Sequence, residues 1–425
     1  MNDARRQKHI VIATIGSLGD LHPCLSLGQA LVKRGHGVTI ATTPHYRDKV
    51  ERCGMSFRAM RPDWDPTDAR MIRSCEDIKR GLEVLYRQLL LPELKHTYRD
   101  LLSATEDADL LITGELVYAS PLVAEKRGLP WVSLILSPLS FFSCIDPSYT
   151  VNLPPLIHLR RAGPAAYRAG LSLGKAATRH WSKPVRQLRR QEGLPWRMSD
   201  PVFKDKFSPH LVLALFSRWF APKQRDWPQQ TLQPGFLHQS NSPDAELTDR
   251  LDRFLSAGSP PLVFTQGSTA VHNPGDFYET SAEAAKRLER RALLVGASSS
   301  ERQTEDLLWV PYIPYSHVFP RAAVIVHQGG SGTTGDALRA GRPMLVVPYG
   351  WDQPDNAMRI ERLGTGLHLP RKRYTVDAAT AAIKRLLDEP QFAAISAEIG
   401  SRVREEDSVG SACDAIDALL IRNTC

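Results

Sequence analysis

Short apolar runs alternate with helical patterns along the first part of the chain. Residues 10–15 form an apolar run, residues 21–33 carry apolar side chains at helical spacing, and residues 38–43 are rich in β-branched side chains. Gly35 follows the helical pattern, at a position where glycine is favoured. A strand, a helix and a strand joined by short connections predict a βαβ unit with parallel strands.

The same alternation continues to the end of the chain. Further apolar runs lie at 109–113, 131–136, 261–265, 292–295, 322–327 and 344–347, and helical patterns at 276–291 and 333–340. Strands that are apolar over nearly their whole length are typical of a parallel sheet covered by helices on both faces. The pattern therefore predicts an α/β protein.

The length of 425 residues predicts two domains, because single cores stop growing at about 250–300 residues. The stretch 226–255 is rich in Pro, Gln, Asn, Ser and Asp, which is typical of an interdomain linker. We therefore expect domains at 1–225 and 256–425. A last amphipathic helix is expected at about 411–421.

Composition narrows the class of protein. The six cysteines are scattered and never form a C-x-x-C pair, which disfavours a zinc site or a disulfide framework and fits a reducing cytoplasm. No apolar run reaches the roughly 20 residues of a membrane-spanning helix. We expect a soluble, cytoplasmic protein.

The net charge of +8 is unevenly distributed. Eight further basic side chains lie between Arg160 and Arg197, and Glu192 is the only acid among them. A solvated helix face, an anionic membrane surface and an acidic acceptor are all compatible with this stretch. Nucleic acid is not expected, because no aromatic-rich motif or zinc finger accompanies the charge.

A glycine-rich turn follows the apolar run at 322–327. Glycines let a backbone approach a bulky anion, and a helix start offers unpaired N–H groups and the positive end of a dipole. The turn therefore predicts a diphosphate site at the mouth of a parallel sheet, with an ordinary strand-to-helix turn as the alternative. The residues concerned are His327, Gly329, Gly330, Ser331, Gly332 and Thr333.

The stretch 309–356 resembles the donor-binding signature of the GT1-type nucleotide-sugar glycosyltransferases. In that family an aromatic stacks on the nucleobase at the place of Trp309, beside Val310. Asp336 stands where many members carry a glutamate for the ribose, and Asp352 with Gln353 matches the pair that holds the sugar hydroxyls.

The resemblance assigns the phosphates to His327 and to the loop that includes Ser331, Gly332 and Thr333. The loop follows the bacterial H-x-G-G-x-G-T-T type and is one residue longer than the plant form. Tyr312 replaces a glutamine that is often present after the tryptophan. A weaker element is the Gly-Ser turn after the run at 261–265, where the family often uses the position of Ser268 on the phosphates; a plain turn is the alternative.

The first half carries a candidate catalytic base. Attack of an acceptor hydroxyl on a sugar requires its deprotonation. The motif at 16–23, GSLGDLHP, resembles the bacterial G-[ST]-x-G-[DH]-x-x-P, whose base occupies the slot of Asp20. The alternative for Asp20 is a helix N-cap. His22 is a second candidate base, Gly19 a possible donor contact, and Glu115 a residue that orients the base or a simple surface glutamate.

Metal and nicotinamide are not expected. The D-x-D at 107–109 immediately precedes an apolar strand, and the turn Gly16-x-x-Gly19 is not the G-x-G-x-x-G of dinucleotide-binding folds. The GT1-type family works without a metal. We therefore predict no cofactor besides a nucleotide-sugar co-substrate.

The resemblance as a whole implies a GT-B fold, in which two Rossmann-like domains face each other across a cleft and the last helix returns to the first domain. Residues 215–222 also resemble the segment between domains in bacterial relatives of rhamnolipid rhamnosyltransferases. The implied activity is inverting transfer of a hexose to a hydrophobic lipid or natural-product acceptor, from UDP-glucose first or a dTDP-deoxysugar second. An epimerase of the same fold and a non-catalytic nucleotide-sugar-binding protein remain alternatives.

Overall fold

The computed structural model describes residues 7–77, 80–149, 154–198, 200–238, 245–296 and 302–422. Its strands are β1 (His9–Ala13), β2 (Gly37–Thr42), β3 (Ser56–Ala59), β4 (Leu110–Gly114), β5 (Trp131–Ile135), β6 (Leu211–Ala214), β7 (Thr231–Leu232), β8 (Leu262–Thr265), β9 (Ala292–Val295), β10 (Arg302–Gln303), β11 (Leu307–Val310), β12 (Val324–His327), β13 (Met344–Val346) and β14 (Gly366–His368).

The α-helices are α1 (Leu18–Lys33), α2 (Arg47–Arg52), α3 (Ala69–Glu76), α4 (Gly81–Glu83), α5 (Leu91–Ala104), α6 (Ser120–Arg127), α7 (Pro154–Arg161), α8 (Pro164–Thr178), α9 (Lys183–Gln191), α10 (Ala245–Ser256), α11 (Gly267–Ala270), α12 (Phe277–Arg287), α13 (Tyr315–Val318), α14 (Ser331–Ala340), α15 (Gln353–Leu363), α16 (Val376–Asp388), α17 (Pro390–Arg404) and α18 (Ser408–Arg422). A π-helical stretch, Val84–Leu90, joins α4 to α5, and a 3₁₀ turn, Arg179–Ser182, joins α8 to α9.

Two seven-stranded sheets form the framework, in the orders β3-β2-β1-β4-β5-β6-β7 and β10-β11-β9-β8-β12-β13-β14. All pairings are parallel except that of β10 with β11. Helices cover both faces, so central strands such as β1, β4 and β12 are buried over almost their whole length. The α/β class predicted from the sequence is confirmed, with two parallel-sheet domains.

The stretch 226–255, predicted as a linker, is divided between the domains. β7 lies in it and pairs with β6 of the first sheet, through Val212 and Thr231. α10 belongs to the second domain, because the Arg291 guanidinium lies 4.2 Å from the centre of the Phe254 ring and donates to the Phe254 carbonyl. Residues 239–244, between these two elements, lie outside the described residues.

The last helix, α18, packs against α1 of the first domain. Ile416 and Leu420 join the buried cluster that contains Leu27 and Leu31 of α1. Asp417 accepts from the guanidinium of Arg34 at 2.8 Å. The chain thus returns to its first domain after completing the second. Among the described residues, no helix is long and apolar enough to cross a membrane.

Candidate active site

The start of α1 is closed by its own side chains. Ser17 is the N-cap, and its hydroxyl oxygen accepts from the Gly19 N–H at 3.1 Å. The Asp20 carboxylate, one turn into the helix, accepts from the Ser17 N–H at 2.8 Å. This reciprocal arrangement is a capping box. Asp20 is therefore not the N-cap itself, which was the alternative reading of this residue; it completes the box from the third helical position.

The surroundings of the Asp20 carboxyl shift its pKa strongly. Burial raises its pKa to about 7, the Ser17 N–H opposes the shift, and the charges of Glu115 and Asp352 add to it. Asp352 belongs to the second domain, so the two carboxyl groups approach each other across the domain boundary. A carboxyl with a pKa near neutrality is suited to accept and release a proton at working pH.

His22 occupies a different side of α1. Two positions along an α-helix correspond to a rotation of about 200°. Its pKa is lowered to about 3, first by burial and then by the charge of Lys49, and its Nε2 is buried without a hydrogen-bond partner in the described part of the chain. The imidazole is therefore neutral at working pH. The structure groups Asp20 with Glu115 and Asp352 and leaves His22 outside that group.

Glu115 is held in place directly after β4. One carboxylate oxygen accepts from the Ser140 hydroxyl at 2.9 Å, and the other from the Lys206 ammonium at 2.9 Å. The Lys206 side chain is 6% exposed, so the ion pair is shielded from solvent. Glu115 is consequently a fixed charge near Asp20 and not a loose surface side chain.

His327 ends β12 and is fully buried. Its Nδ1 accepts from the Gly329 N–H at 3.1 Å, and its Nε2 lies 3.5 Å from the Met344 sulphur. Burial lowers the pKa of the ring to about 3, so the imidazole is neutral. In this arrangement both ring nitrogens are engaged inside the domain, and the ring supports the glycine-rich turn. The phosphate contact remains a prediction.

The start of α14 has no side-chain cap among the described residues, whereas the start of α1 is capped. Gly330 is its N-cap, and among the described residues no side chain caps the first N–H groups. A side chain built at Gly332 would meet no atom of the described residues within 4 Å, so none of them covers this first turn. Thr333 follows and is buried. Unpaired N–H groups at an accessible helix start form an anion site.

Gly329 is required by this turn, for two reasons. Its φ is +89°, in the left-handed region that favours glycine. A Cβ at this position would also lie 2.7 Å from a methyl group of Val346. The turn is therefore tight against β13, and it can direct the following helix start towards the cleft.

Asp352 and its neighbours link α15 to this helix start. The Asp352 carboxylate accepts from the Ser331 hydroxyl at 2.7 Å and from the Asn356 amide at 2.9 Å. The same Asn356 amide donates to the Gly329 carbonyl at 2.8 Å. Burial raises the pKa of Asp352, and the two hydrogen bonds lower it. The result is a connected polar network at the mouth of the second sheet.

Gln353 supports the loop before α15. Its side-chain oxygen accepts from the Tyr349 N–H at 2.8 Å and from the Gly350 N–H at 3.2 Å. The residue is 5% exposed. Gln353 thereby fixes the backbone beside Asp352, while the predicted contact with the sugar is still a prediction.

The residues assigned to the nucleoside lie further from the turn. Trp309 is half-buried and packs on Tyr278, with ring centroids 5.3 Å apart. Val310 is fully buried, and its carbonyl accepts from the Gly296 N–H at 3.0 Å. Asp336 pairs with His238 at 2.6 Å. The side chains of Trp309 and Asp336 thus contact other residues of the protein, and Val310 is held through its carbonyl. The roles of the three residues towards a nucleoside stay predictions.

The remaining assigned positions add little to the site. Gly19 is exposed in the first turn of α1. Ser268 lies in α11, but its side chain falls outside the described part of the structure. Gly267, before it, has a φ of +61° and packs against the Gln328 amide, so the turn after β8 touches the glycine-rich turn. No group of three or more metal-ligating side chains occurs among the described residues.

Sequence reasoning missed an interdomain contact beside the site. On α15, Asp355 accepts from the Arg359 guanidinium and from the Tyr149 N–H of the first domain, both at 2.8 Å. Arg359 also pairs with Asp146 of the same first-domain loop. Their i, i+4 spacing could have suggested the Asp355–Arg359 pair. Nothing in the sequence indicates which loop of the other domain receives it.

The geometry combines a carboxyl group that titrates near neutrality with an uncapped helix start in the facing domain. The first can remove a proton from a hydroxyl, and the second can bind a leaving diphosphate. Both lie at the carboxyl ends of parallel strands, where ligands of such sheets bind.

Comparisons with known proteins agree with this arrangement. Residues 10–131 match the glycosyltransferase family 28 N-terminal domain, and residues 299–410 match the C-terminal domain of the erythromycin biosynthesis protein CIII-like family. The chain is 31% identical to the O-mycaminosyltylonolide 6-deoxyallosyltransferase of Streptomyces fradiae over 423 residues, which cover 96% of each chain.

Solved structures share the fold. The spinosyn forosaminyltransferase superposes with a TM-score of 0.73 and 18% identity, over 98% of this chain and 100% of the other. The spinosyn rhamnosyltransferase complexed with thymidine diphosphate superposes with a TM-score of 0.68 and 16% sequence identity, over 96% of this chain and 100% of the other. The fold is GT-B, and the chain belongs to the family of sugar-transferring enzymes that includes the S. fradiae 6-deoxyallosyltransferase.

Proposed function

We propose that this glycosyltransferase moves a 6-deoxyhexose from a thymidine diphosphate sugar to a hydroxyl group of an apolar natural-product aglycone, with inversion. The donor signature alone puts UDP-glucose first. Two relatives favour the second choice: one is a 6-deoxyallosyltransferase, and the other was solved with thymidine diphosphate. The observation that carries the proposal is the uncapped start of α14, where Ser331 donates to Asp352 at 2.7 Å. The charge of Asp352 also contributes to the raised pKa of Asp20, at the start of α1.

In the proposed mechanism Asp20 is the general base. Its ionised carboxylate takes the proton of the acceptor hydroxyl while that oxygen attacks the anomeric carbon. The bond from this carbon to the diphosphate oxygen breaks in the same displacement, which inverts the configuration. Glu115, fixed by Lys206, keeps a negative charge near Asp20 and so favours proton uptake.

The departing diphosphate would be stabilised by the first N–H groups of α14. This site needs no protein carboxylate to hold a cation, and we propose that transfer does not depend on a divalent metal. Asp352, whose oxygen already binds Ser331 and Asn356, is placed to exchange one of these partners for a sugar hydroxyl.

Thermal-shift titration of the full chain tests the donor. Thymidine diphosphate should raise the melting temperature more than uridine or guanosine diphosphate at equal concentration, because a ligand that binds only the folded state stabilises it. A larger shift with uridine diphosphate would restore UDP-glucose as the donor. No shift with any nucleotide would contradict the proposed donor site.

Product analysis tests the reaction. With a dTDP-deoxyhexose of α configuration and a macrolactone aglycone, proton NMR should show a β-glycoside, formed at the same rate in the presence of EDTA. Release of free or epimerised sugar without a glycoside would favour the epimerase alternative. Nucleotide binding without turnover over a panel of aglycones would favour the non-catalytic binding protein.

A further inference from the structure

We propose that the outer side of α8 and α9 is a docking surface for an anionic membrane. Six cations follow one another at spacings of seven, four, four, three and four residues, which is the repeat of a single helix face. The backbone stays helical through the 3₁₀ turn between α8 and α9. We call this set the basic face: Arg168, Lys175, Arg179, Lys183, Arg186 and Arg190.

The basic face has no acidic partners. Within the ranges that the structure describes, none of its six side chains forms an ion pair, and no acid occurs between residues 154 and 191. Arg189, on the buried side of α9, provides the contrast. It is 3% exposed and binds both Glu125 oxygens, at 2.8 and 2.9 Å. The buried arginine holds the helix in place. Within the basic face, Lys175 is half-buried 5.2 Å from the centre of the Phe203 ring, and the half-buried Arg186 donates to the Arg179 carbonyl at 3.4 Å. The side chains exposed to a partner are those of Arg168, Arg179, Lys183 and Arg190.

The exposed apolar side of α8, next to the basic face, favours a lipid partner. Leu173, on the exposed side of α8, is 73% accessible. Its neighbours on that side are the exposed small residues Ala165, Ala169 and Ala176. Leu173 lies two positions from Lys175, about 200° around the helix, so the exposed alanines separate the leucine from the cations. A helix with a basic side and an exposed apolar side suits the boundary between head groups and acyl chains. A single-stranded nucleic acid would require aromatic side chains for base stacking, and the exposed side of α8 has none.

The basic face lies close to the cleft. Tyr167, on the buried side of α8, packs with Cys144 and Leu171. Cys144 begins the loop whose Tyr149 N–H donates to Asp355 of α15 at 2.8 Å. The helix that carries the cations therefore sits near the start of α15, which bears Asp352. A membrane bound to the basic face would lie near the cleft entrance. Delivery of an apolar acceptor from that membrane rests on the proposed function, but membrane binding does not.

Vesicle co-sedimentation of the full chain tests the surface. We expect binding to vesicles of phosphatidylcholine and phosphatidylglycerol in a three-to-one ratio at about 0.1 M salt, and loss of binding when the salt is raised to about 0.5 M. The triple variant Arg179→Gln, Lys183→Gln and Arg190→Gln should bind about 100-fold more weakly, at roughly fivefold for each cation removed.

The matched control removes the same charge elsewhere. Lys33→Gln, Arg52→Gln and Lys372→Gln are also exposed, and this triple variant should bind within about threefold of the unchanged protein if the effect depends on the basic face and not on net charge. Leu173→Ser is a separate single-residue test, expected to weaken binding by several-fold without altering charge. Each variant should keep the melting temperature and its shift with thymidine diphosphate.

Three outcomes would overturn the proposal: equal binding by the two triple variants, equal binding to vesicles of phosphatidylcholine alone, or tighter retention by duplex DNA than by anionic vesicles at the same salt. Transfer to a water-soluble acceptor should be unchanged in the basic-face variant. Loss of vesicle binding with full transfer separates this surface from the active site, so the two proposals can fail independently.

Discussion

The two helices that begin at the cleft, α1 and α14, start in opposite ways. In α1, the Ser17 hydroxyl accepts from the Gly19 N–H of the first turn, and the Asp20 carboxylate accepts from the N–H of the N-cap Ser17, so the helix start is capped by its own side chains. In α14, Gly330 offers no capping side chain, and free space surrounds Gly332. Both helices follow a central strand of a parallel sheet through a glycine-containing turn. The cap alone distinguishes them.

The roles proposed for the two helices follow from this difference. A helix start that is capped by its own carboxylate is poorly suited to an anion, and in α1 burial raises the pKa of this carboxyl to about 7. An open helix start keeps N–H groups and the positive end of the dipole for a ligand. In the proposed mechanism, one strand-turn-helix unit supplies the base and the other supplies the anion site.

Removal of the base should have the largest effect. In Asp20→Asn the amide oxygen can still accept from the Ser17 N–H, so α1 stays capped. The amide cannot, however, take the proton of the sugar-acceptor hydroxyl. We expect kcat to fall by about 10³-fold, within the range found for general bases. Steady-state transfer assays check the loss, and the shift in melting temperature with thymidine diphosphate should persist. His22→Gln serves as the control, and a comparable loss in that variant would move the base to His22.

The pH profile should follow the Asp20 carboxyl. The base acts only when ionised, and its pKa is about 7. kcat/KM should therefore rise about ninefold from pH 5 to 6, about fivefold from pH 6 to 7, and level off above 8. Rates measured at saturating donor across this range check the slope. A profile that is flat between pH 5 and 7 would mean that another group, or no protein group, takes the proton.

A carboxylate in the first turn of α14 should weaken the binding of a diphosphate there. In Gly332→Asp a carboxylate enters free space in the first turn of α14, where it complements the helix dipole but repels a diphosphate. We expect calorimetry to give a Kd for thymidine diphosphate that is about 10- to 100-fold weaker, with an unchanged or higher melting temperature. Gly332→Ala, which adds no charge, should bind nearly as well as the unchanged protein. Full affinity in Gly332→Asp would place the diphosphate elsewhere.

The smallest expected effect is on stability. The folded state raises the pKa of Asp20 from 3.8 to about 7, so it holds this proton more tightly than the unfolded chain does. The associated stability is present below about pH 4 and is lost as the pH rises through 7. Asp20→Asn should therefore gain on the order of 2 kcal/mol relative to the unchanged protein between pH 4 and pH 8. Urea unfolding of both proteins at the two pH values measures this difference. No relative gain would mean that Asp20 is ionised throughout.

The sequence alone determined the class of fold and the glycine-rich turn. Apolar runs such as the one that ends at His327 indicate buried parallel strands, because only a sheet covered on both faces needs them. A motif with fixed spacing also identifies Asp20 and the region of Asp352, since these features are local in the chain. The family relationship inferred from the same motifs is confirmed by the 31% identical relative.

Only the tertiary structure decided which groups meet. Asp20 and Asp352 are more than three hundred residues apart, and their approach depends on how two domains pack. The partners of His327, Gln353 and Asp336 also came from folding, because each side chain is occupied by a backbone or side-chain group that the motif does not specify. Residue spacing fixes the local turn, whereas burial and the neighbouring domain fix the charge and the direction of each side chain.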